Sequence, residues 1–481
     1  FEYPRHDLDV CFFRAYENDK PVRPAHWLHW STTGPTEGDI VFVTGHPGST
    51  NRMDTLAKLQ HRRDVTLPYT LNRLRTMEAL LIQFSEQGPQ QRKWAQKELQ
   101  RFANGRKATA GQYQGLLDPA VMARKAREET ELRAKVAADP AQQKECADAW
   151  DRIAAAEQTL GGFEHEYYLL ERGDAFDCDL FLIARHLVRL AVERPKPNAD
   201  RLREYRDSAL ESLEFQLFSP APIYPELERA RLAAALSFMA ENLGGDHPLV
   251  AKALGGRSPA ARAAELVAGT RLAEPAERRR IAASGPHAGT DSMLVFAELV
   301  DPEARSLRKH FEDSVEEVER QANAKIAAAR FALLGTAQAP DATFTLRLAF
   351  GVVKGYTVDG VELPFHTTFG GAFERARQQG YREPFDLPKR WLEAKDRLDL
   401  KTPFNFVSTA DTIGGNSGSP VLNRASEFVG INFDRNRHGL VRNFVYTDEQ
   451  ARHIAVHSRG ILVALRTLYD ARELVHELTG E

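Results

Sequence analysis

Apolar positions change period twice along the chain, and the three stretches so defined predict β, then α, then β structure. Near the start, Val10, Phe12 and Arg14 alternate with Cys11, Phe13 and Ala15. Residues 40–44 form a short apolar run that ends at Gly45. Period two and short runs closed by Gly or Pro predict strands. The cluster His46-Pro47-Gly48-Ser49-Thr50-Asn51 predicts a turn. The period then becomes helical. Leu71, Leu74, Met77, Leu81 and Phe84 share one face, as do Leu232, Leu236, Met239 and Leu243. Gly161-Gly162, Pro195-Lys196-Pro197 and Gly244-Gly245 punctuate these helices. No fixed-period repeat runs through them, which argues against a solenoid. Their charged faces read as solvated helix surfaces. After residue 340, Phe344, Leu346, Leu348 and Phe350 alternate with Thr343, Thr345, Arg347 and Ala349. Further strands are expected at 421–422, 428–433 and 442–446. Residues 454–478 read as a closing helix. The predicted division is 1–62, 63–334 and 335–481.

Composition narrows the class of protein without naming a function. The 481 residues are 42% hydrophobic and 27% charged, which suits several packed domains and excludes a mostly disordered chain. Lys+Arg 64 against Asp+Glu 67 leaves a formal charge of −3, so no basic excess drives nucleic-acid binding. No apolar run is long enough to insert into a membrane as a helix. Cys11, Cys146 and Cys178 lack metal-ligand spacing and cannot make a disulfide framework. Neither metal nor organic cofactor is implied. The sequence opens at Phe1 on strand-like residues, with no leader pattern before it. That predicts a fragment or processed product.

The sharpest local signal is Gly414-Gly415-Asn416-Ser417-Gly418-Ser419-Pro420, which opens onto strand-like residues. A serine nucleophile needs a tight turn that exposes its hydroxyl, and flanking glycines let backbone approach a substrate carbonyl. The N–H groups of Gly415 and Ser417 can then converge on a developing oxyanion. A plain Gly/Ser turn is the alternative for this motif alone. A phosphate-binding P-loop fails, because no Lys-Ser/Thr follows.

The block DTIGGNSGSPVLNRASEFVGINFD, residues 411–434, resembles peptidase family S46, bacterial serine dipeptidyl-peptidases. YPRHDLDVCFFRAY (3–16), VTGHPGSTNR (43–52) and DATFTLRLAFGVVKGY (341–356) resemble other segments of that family, in the same order. The resemblance implies a mainly β plus α protein, a chymotrypsin-like double β-barrel with a large inserted all-α-helical domain. Residues 1–62 would complete a β-barrel region whose N-terminal part is missing, and 335–481 would be the C-terminal barrel. Ser417 is then the nucleophile and Asp9 the triad carboxylate that orients a histidine. On residues alone, Asp9 reads as a strand-end carboxylate that caps a turn. The family's triad His lies upstream of Asp9, outside the sequence, so the chain alone is expected to be inactive. His6, His26, His29 and His46 lack its motif. Asn416 stands where trypsin-like enzymes carry an Asp that pairs with a new N-terminus.

The resemblance also implies how a free α-amine is held. Asp434 matches the family's α-ammonium anchor. Phe1 matches an aromatic lining the same pocket, and Asn104 resembles an anchor from the helical domain. Asn104 could also be a helix C-cap. Arg435 falls where the family carries Arg for acidic P1 side chains and Gly for large apolar ones. A guanidinium binds a carboxylate bidentately. A surface Arg paired with Asp434 or Glu427 is the alternative. The nearby Arg437-His438 departs from the aromatic-acidic pair expected there. The reading is therefore a dipeptidyl-peptidase acting on peptides with a free N-terminus and preferring Asp or Glu at P1. The alternatives are the same enzyme with apolar preference, and a non-catalytic peptide-binding homologue. Family resemblance further implies a homodimer and a periplasmic or secreted location.

Overall fold

Amphipathic faces decide the helical region, and two-sided burial decides the central strands. The computed structural model describes residues 1–284, 291–336 and 339–480. The chain forms two compact units. One comprises Phe1–Asp54, Gln114–Val121 and Gln338–Glu481; the other comprises Thr55–Tyr113 and Met122–Ala337.

The second unit is helical. Thr55 caps its first helix, Leu56–His61, by accepting the Lys58 N–H. Helix α1 (Leu67–Ser85) buries Leu71, Met77, Leu81 and Phe84. Helix α2 spans Pro89–Leu117. Helix α3 (Pro225–Leu243) buries Leu232, Leu236 and Met239, which join Phe176, Phe181 and Phe296 in one core. Each such side chain contributes about 1.5–3 kcal/mol on burial. Two buried arginines of this unit meet several carboxylates each. Arg231 meets Asp177 at 2.8 Å, Asp179 at 3.1 Å and Glu228 at 3.2 Å. Arg189 meets Glu171 at 2.5 Å and Asp301 at 2.6 Å. Among the described residues no helix is long and apolar enough to cross a membrane.

The first unit holds a seven-stranded sheet that curls into a half-barrel. Its strands are β1 (Ile40–Gly45), β2 (Arg347–Val352), β3 (His366–Thr368), β4 (Pro403–Ser408), β5 (Pro420–Leu422), β6 (Phe428–Arg435) and β7 (His453–His457). The spatial order is β2-β1-β5-β6-β7-β4-β3, and every neighbouring pair is antiparallel. Val41, Val43, Phe406, Val421, Val429 and Ala455 pack on the inner face.

Three local expectations are corrected. Residues 10–15 form no strand, because no strand pairs with them among the described residues. Residues 454–457 belong to β7 rather than a helix, since β7 lies between β6 and β4 and is buried at every position. Helix begins only at Ser458–Val463. Residues 442–446 are not a strand; the chain makes a 3₁₀ turn at Arg437–Asn443. That turn is set by Asn436 Oδ1, which accepts the Gly439 N–H at 3.1 Å. The expected alternation forms β2, and its apolar face points outward. Leu348 and Phe350 are 60% and 68% exposed. Gly351 faces inward against Ala410, where a Cβ would come within 2.1 Å of the Ala410 nitrogen.

Candidate active site

The loop before β5 is held in shape by backbone bonds to β6. Gly418 N–H donates to the Asn432 carbonyl at 2.7 Å, and Asn432 N–H donates to the Ser419 carbonyl at 2.9 Å. The β5–β6 ladder therefore continues into the Gly-Asn-Ser-Gly turn. Asn416, 2% exposed, braces the inside. Its Oδ1 accepts the Ile413 N–H at 3.1 Å, and its carbonyl accepts Asn432 Nδ2 at 2.8 Å. Gly415 has φ +104°, a left-handed conformation that favours glycine. A Cβ there would lie 2.5 Å from the His46 carbonyl oxygen and 2.6 Å from the Gly48 nitrogen. The turn at residues 46–51 thus supports the loop from below, with Gly48 N–H donating to the Gly414 carbonyl at 2.7 Å.

The result of this bracing is an exposed Ser417. Its hydroxyl donates to the Phe433 carbonyl at 3.2 Å. The N–H groups of Gly415 and Ser417 have no hydrogen-bond partner among the described residues. Phe433 is itself the extra residue of a β-bulge. Asn432 lies opposite Ala455 and Asp434 opposite Ile454. A bulge of this kind re-aims the side chains that follow it, here Asp434 and Arg435.

Arg435 lies in the interior, 8% exposed. Among the described residues its guanidinium makes no ion pair, and its buried Nη1 has no hydrogen-bond partner. It is not a surface Arg paired with Asp434 or Glu427. Burial pulls its pKa down to about 10, which still leaves it charged at neutral pH. Its neighbours differ. Arg442 donates to the carbonyls of Thr409, Ala410, Thr447 and Ala451. Arg452 donates to those of Lys354, Gly355, Asp448 and Ala451. Those two are structural; Arg435 alone of the three keeps a buried N–H unmatched.

Asp434 is more accessible, with 16% of its side chain exposed. The Phe1 nitrogen lies 3.5 Å from its Oδ2. Arg5, which the sequence reading did not single out, donates to the same oxygen at 3.0 Å and to Asp7 at 2.5 Å. Its guanidinium also sits over the Phe433 ring. The segment is clamped by Thr367 Oγ1 donating to the Arg5 carbonyl at 2.7 Å, and by Asn405 bonding both the N–H and the carbonyl of Asp7 at 2.8 Å. Asp9 follows two residues later. Burial, and next the negative charge of Asp7, raise its pKa above the ordinary carboxylate value; Arg5 opposes and Asp434 adds to this. The Asp9 carboxylate makes no hydrogen bond or ion pair among the described residues.

The structure therefore gathers Phe1, Arg5 and Asp434 by direct contact, and Ser417 and Arg435 through the bulged strand, with Asp9 in the field of that cluster. Asn104 belongs to the helical unit. It is exposed within α2, which runs on to Leu117, so it is not a helix cap. His6 packs against Gly371, and burial with the Arg375 charge pushes it down to about 4. His26, His29 and His46 are exposed. A serine–imidazole hydrogen bond does exist at Ser408 and His453, at 2.7 Å. Both residues are fully buried, so a substrate cannot reach them.

The Peptidase S46 family model matches residues 1–480. The chain belongs to peptidase family S46. It is 26% identical over 548 residues to the Asp/Glu-specific dipeptidyl-peptidase of Shewanella putrefaciens, covering 99% of this chain and 71% of that protein. It is 24% identical to the enzyme of the same name from Porphyromonas endodontalis, covering 99% and 69%. A shorter stretch of 151 residues is 38% identical to dipeptidyl-peptidase 7 of Phocaeicola vulgatus, covering 30% of this chain and 21% of that protein. Among solved structures, Porphyromonas endodontalis DPP11 in complex with the dipeptide Arg-Glu matches with a TM-score of 0.76 at 23% identity, covering 99% and 71%. That likeness shows the fold. The S46 chain thus shares the mixed helix-and-sheet architecture of DPP11.

Proposed function

We propose that this S46 chain carries the nucleophile and substrate-binding groups of a serine dipeptidyl-peptidase that prefers Asp or Glu at P1. The observation that carries the reading is Arg435: a buried guanidinium with no ion pair among the described residues, two positions beyond the bulge residue Phe433 whose carbonyl accepts the Ser417 hydroxyl. A buried cation without a counter-ion is costly unless a ligand supplies one. A P1 carboxylate does so, and neutral P1 side chains leave the cost standing. The relatives named for Asp/Glu specificity support the same choice.

The chemistry then follows from the residues. Asp434 receives the substrate's α-ammonium, which fixes the cut two residues from the free end. Ser417 Oγ attacks the second carbonyl and forms a C–O bond, while an imidazole takes the hydroxyl proton. Gly415 and Ser417 N–H groups stabilise the oxyanion. Collapse breaks the C–N bond and the proton passes to the leaving amine. Water then releases the dipeptide from the acyl-enzyme. Asp9 orients the imidazole and stabilises its charged form. From the family resemblance, the proposal includes an imidazole from chain preceding Phe1, the double-barrel fold, Asn104 as a second amine anchor, a homodimer and export to the periplasm or beyond.

The test is fluorophore release by the full-length polypeptide from dipeptide substrates with P1 Asp, Glu or Leu. Cleavage after Asp or Glu, lost on blocking the α-amine, is expected. Ser417→Ala should lower turnover by at least about 10³-fold. Arg435→Gly should cost acidic substrates about 2–5 kcal/mol, on the order of 30- to 3,000-fold, while Leu substrates gain. Cleavage only after Leu would overturn the P1 reading. No cleavage at all would favour the peptide-binding homologue.

A further inference from the structure

Among the described residues the Arg435 guanidinium has no ion pair and its buried Nη1 no hydrogen bond, although the charges of Asp434 and Asp411 both favour its protonated form. Every oxygen of these two carboxylates is taken by another donor. Asp434 Oδ1 accepts the backbone N–H of Arg435 at 2.8 Å, and Oδ2 accepts Arg5 Nη1 at 3.0 Å. Asp411 Oδ2 and Oδ1 accept Arg52 Nη1 and Nη2 at 2.6 and 2.8 Å. The second pair is a bidentate fork, the geometry that holds a carboxylate most firmly. Arg52 is in turn fixed to the turn that follows Arg435, since its Nε donates to the Arg442 carbonyl at 2.8 Å. The Arg442 side chain donates to the Thr409 and Ala410 carbonyls, the two residues before Asp411. Arg52, Asp411 and the 3₁₀ turn at Arg437–Asn443 are therefore one hydrogen-bonded block.

We infer that Arg52 is a specificity-positioning residue: by clamping Asp411 in a bidentate fork, it keeps that carboxylate off Arg435 and reserves the guanidinium for an acidic P1 side chain. The inference rests on the P1 reading above. The physical reason is competition. A carboxylate on the same chain acts at a high effective concentration, well above that of dissolved peptide. Left free, Asp411 would neutralise Arg435 and act as a built-in inhibitor of acidic substrates alone.

The test compares kcat/KM for matched substrates with P1 Glu and P1 Gln, in the full-length enzyme. The ratio removes effects common to both. Arg52→Met should lower the Glu/Gln ratio about 10-fold or more, chiefly through KM for the Glu substrate. Adding Asp411→Asn should restore it to within about 3-fold of wild type, the non-additivity expected of residues acting through one another. Arg52→Lys, which holds a single oxygen, should fall between. A parallel loss on both substrates, or no rescue by Asp411→Asn, overturns the inference. Should Arg52→Met fail to fold, Asp411→Asn alone decides. It removes the competitor, so the ratio must stay level or rise, and a fall overturns the inference. A wild-type enzyme with no preference for Glu over Gln overturns the P1 reading itself before any variant is compared.

Discussion

Asp434 and Arg435 are neighbours in sequence yet serve different ends of a dipeptide. Asp434 remains partly accessible, with Phe1 N and Arg5 at its Oδ2, whereas Arg435 is buried with no ion pair among the described residues. In the proposed enzyme the first reads a positive charge and the second a negative one. Replacing Asp434 by Asn keeps the shape and removes the charge. Asp434→Asn should raise KM on the order of 100-fold, within the usual range for truncating a desolvated charge pair. N-acetylation of the substrate should then cost the variant much less than it costs the wild type. Equal losses in both would separate Asp434 from the amine. Arg5 was within a segment already singled out by resemblance, but no sequence rule says that a residue two before Asp7 reaches across to Asp434. That contact joins positions 429 residues apart.

At the scale of elements, the nucleophile loop is a product of its supports. Gly415 is the tightest point, with positive φ and no room for a Cβ. Gly415→Ala should cost about 1–3 kcal/mol in strain and lower kcat at least on the order of 100-fold by moving an oxyanion donor. A melting curve and a Michaelis curve on one preparation check both. Asn432 supports the same loop from β6, through Nδ2 to the Asn416 carbonyl, with both residues 2% exposed. Asn432→Ala removes one of the two donors on that carbonyl and leaves the Ser419 N–H at 3.0 Å. The expected cost is about 0.5–1.5 kcal/mol, the net worth of one hydrogen bond, with kcat falling and the P1 preference retained. A changed preference with normal kcat would mean that the brace serves Arg435 rather than Ser417.

At the scale of the whole molecule, neutral histidines in the core predict acid lability. His453 is fully buried, shares a hydrogen bond with Ser408, and has no partner at Nε2 among the described residues. His457 is 1% exposed and packs where Gly34 has no Cβ. Burial lowers both to about 4. In the unfolded chain each protonates near about 6.5. Between these values the unfolded state binds more protons, so stability is full above pH 6.5 and falls as pH drops toward 4. Each contributes a loss on the order of 2 kcal/mol by pH 5. Thermal melts from pH 7.5 to 4.5 should show Tm falling below about pH 6.5. A flat Tm down to pH 5 would show that these rings accept protons in place.

Periodicity was legible wherever one face of an element meets the core. The helical faces of α1 and α3 and the strand run at 40–44 follow that rule. The Gly-Asn-Ser-Gly turn was legible because its chemistry is local: glycine is needed where φ is positive and backbone lies close. The segment 454–457 was misread, since a strand buried on both faces has the same apolar run as a buried helix. The outward apolar face of β2 was not legible either, because Gly351 against Ala410 sets the facing and alternation alone does not. Tertiary structure alone decided the bulge at Phe433, the reach of Arg5 to Asp434, and the fork of Arg52 on Asp411. Those contacts join distant positions, and the charge left unmatched on Arg435 exists only once every other partner has been assigned.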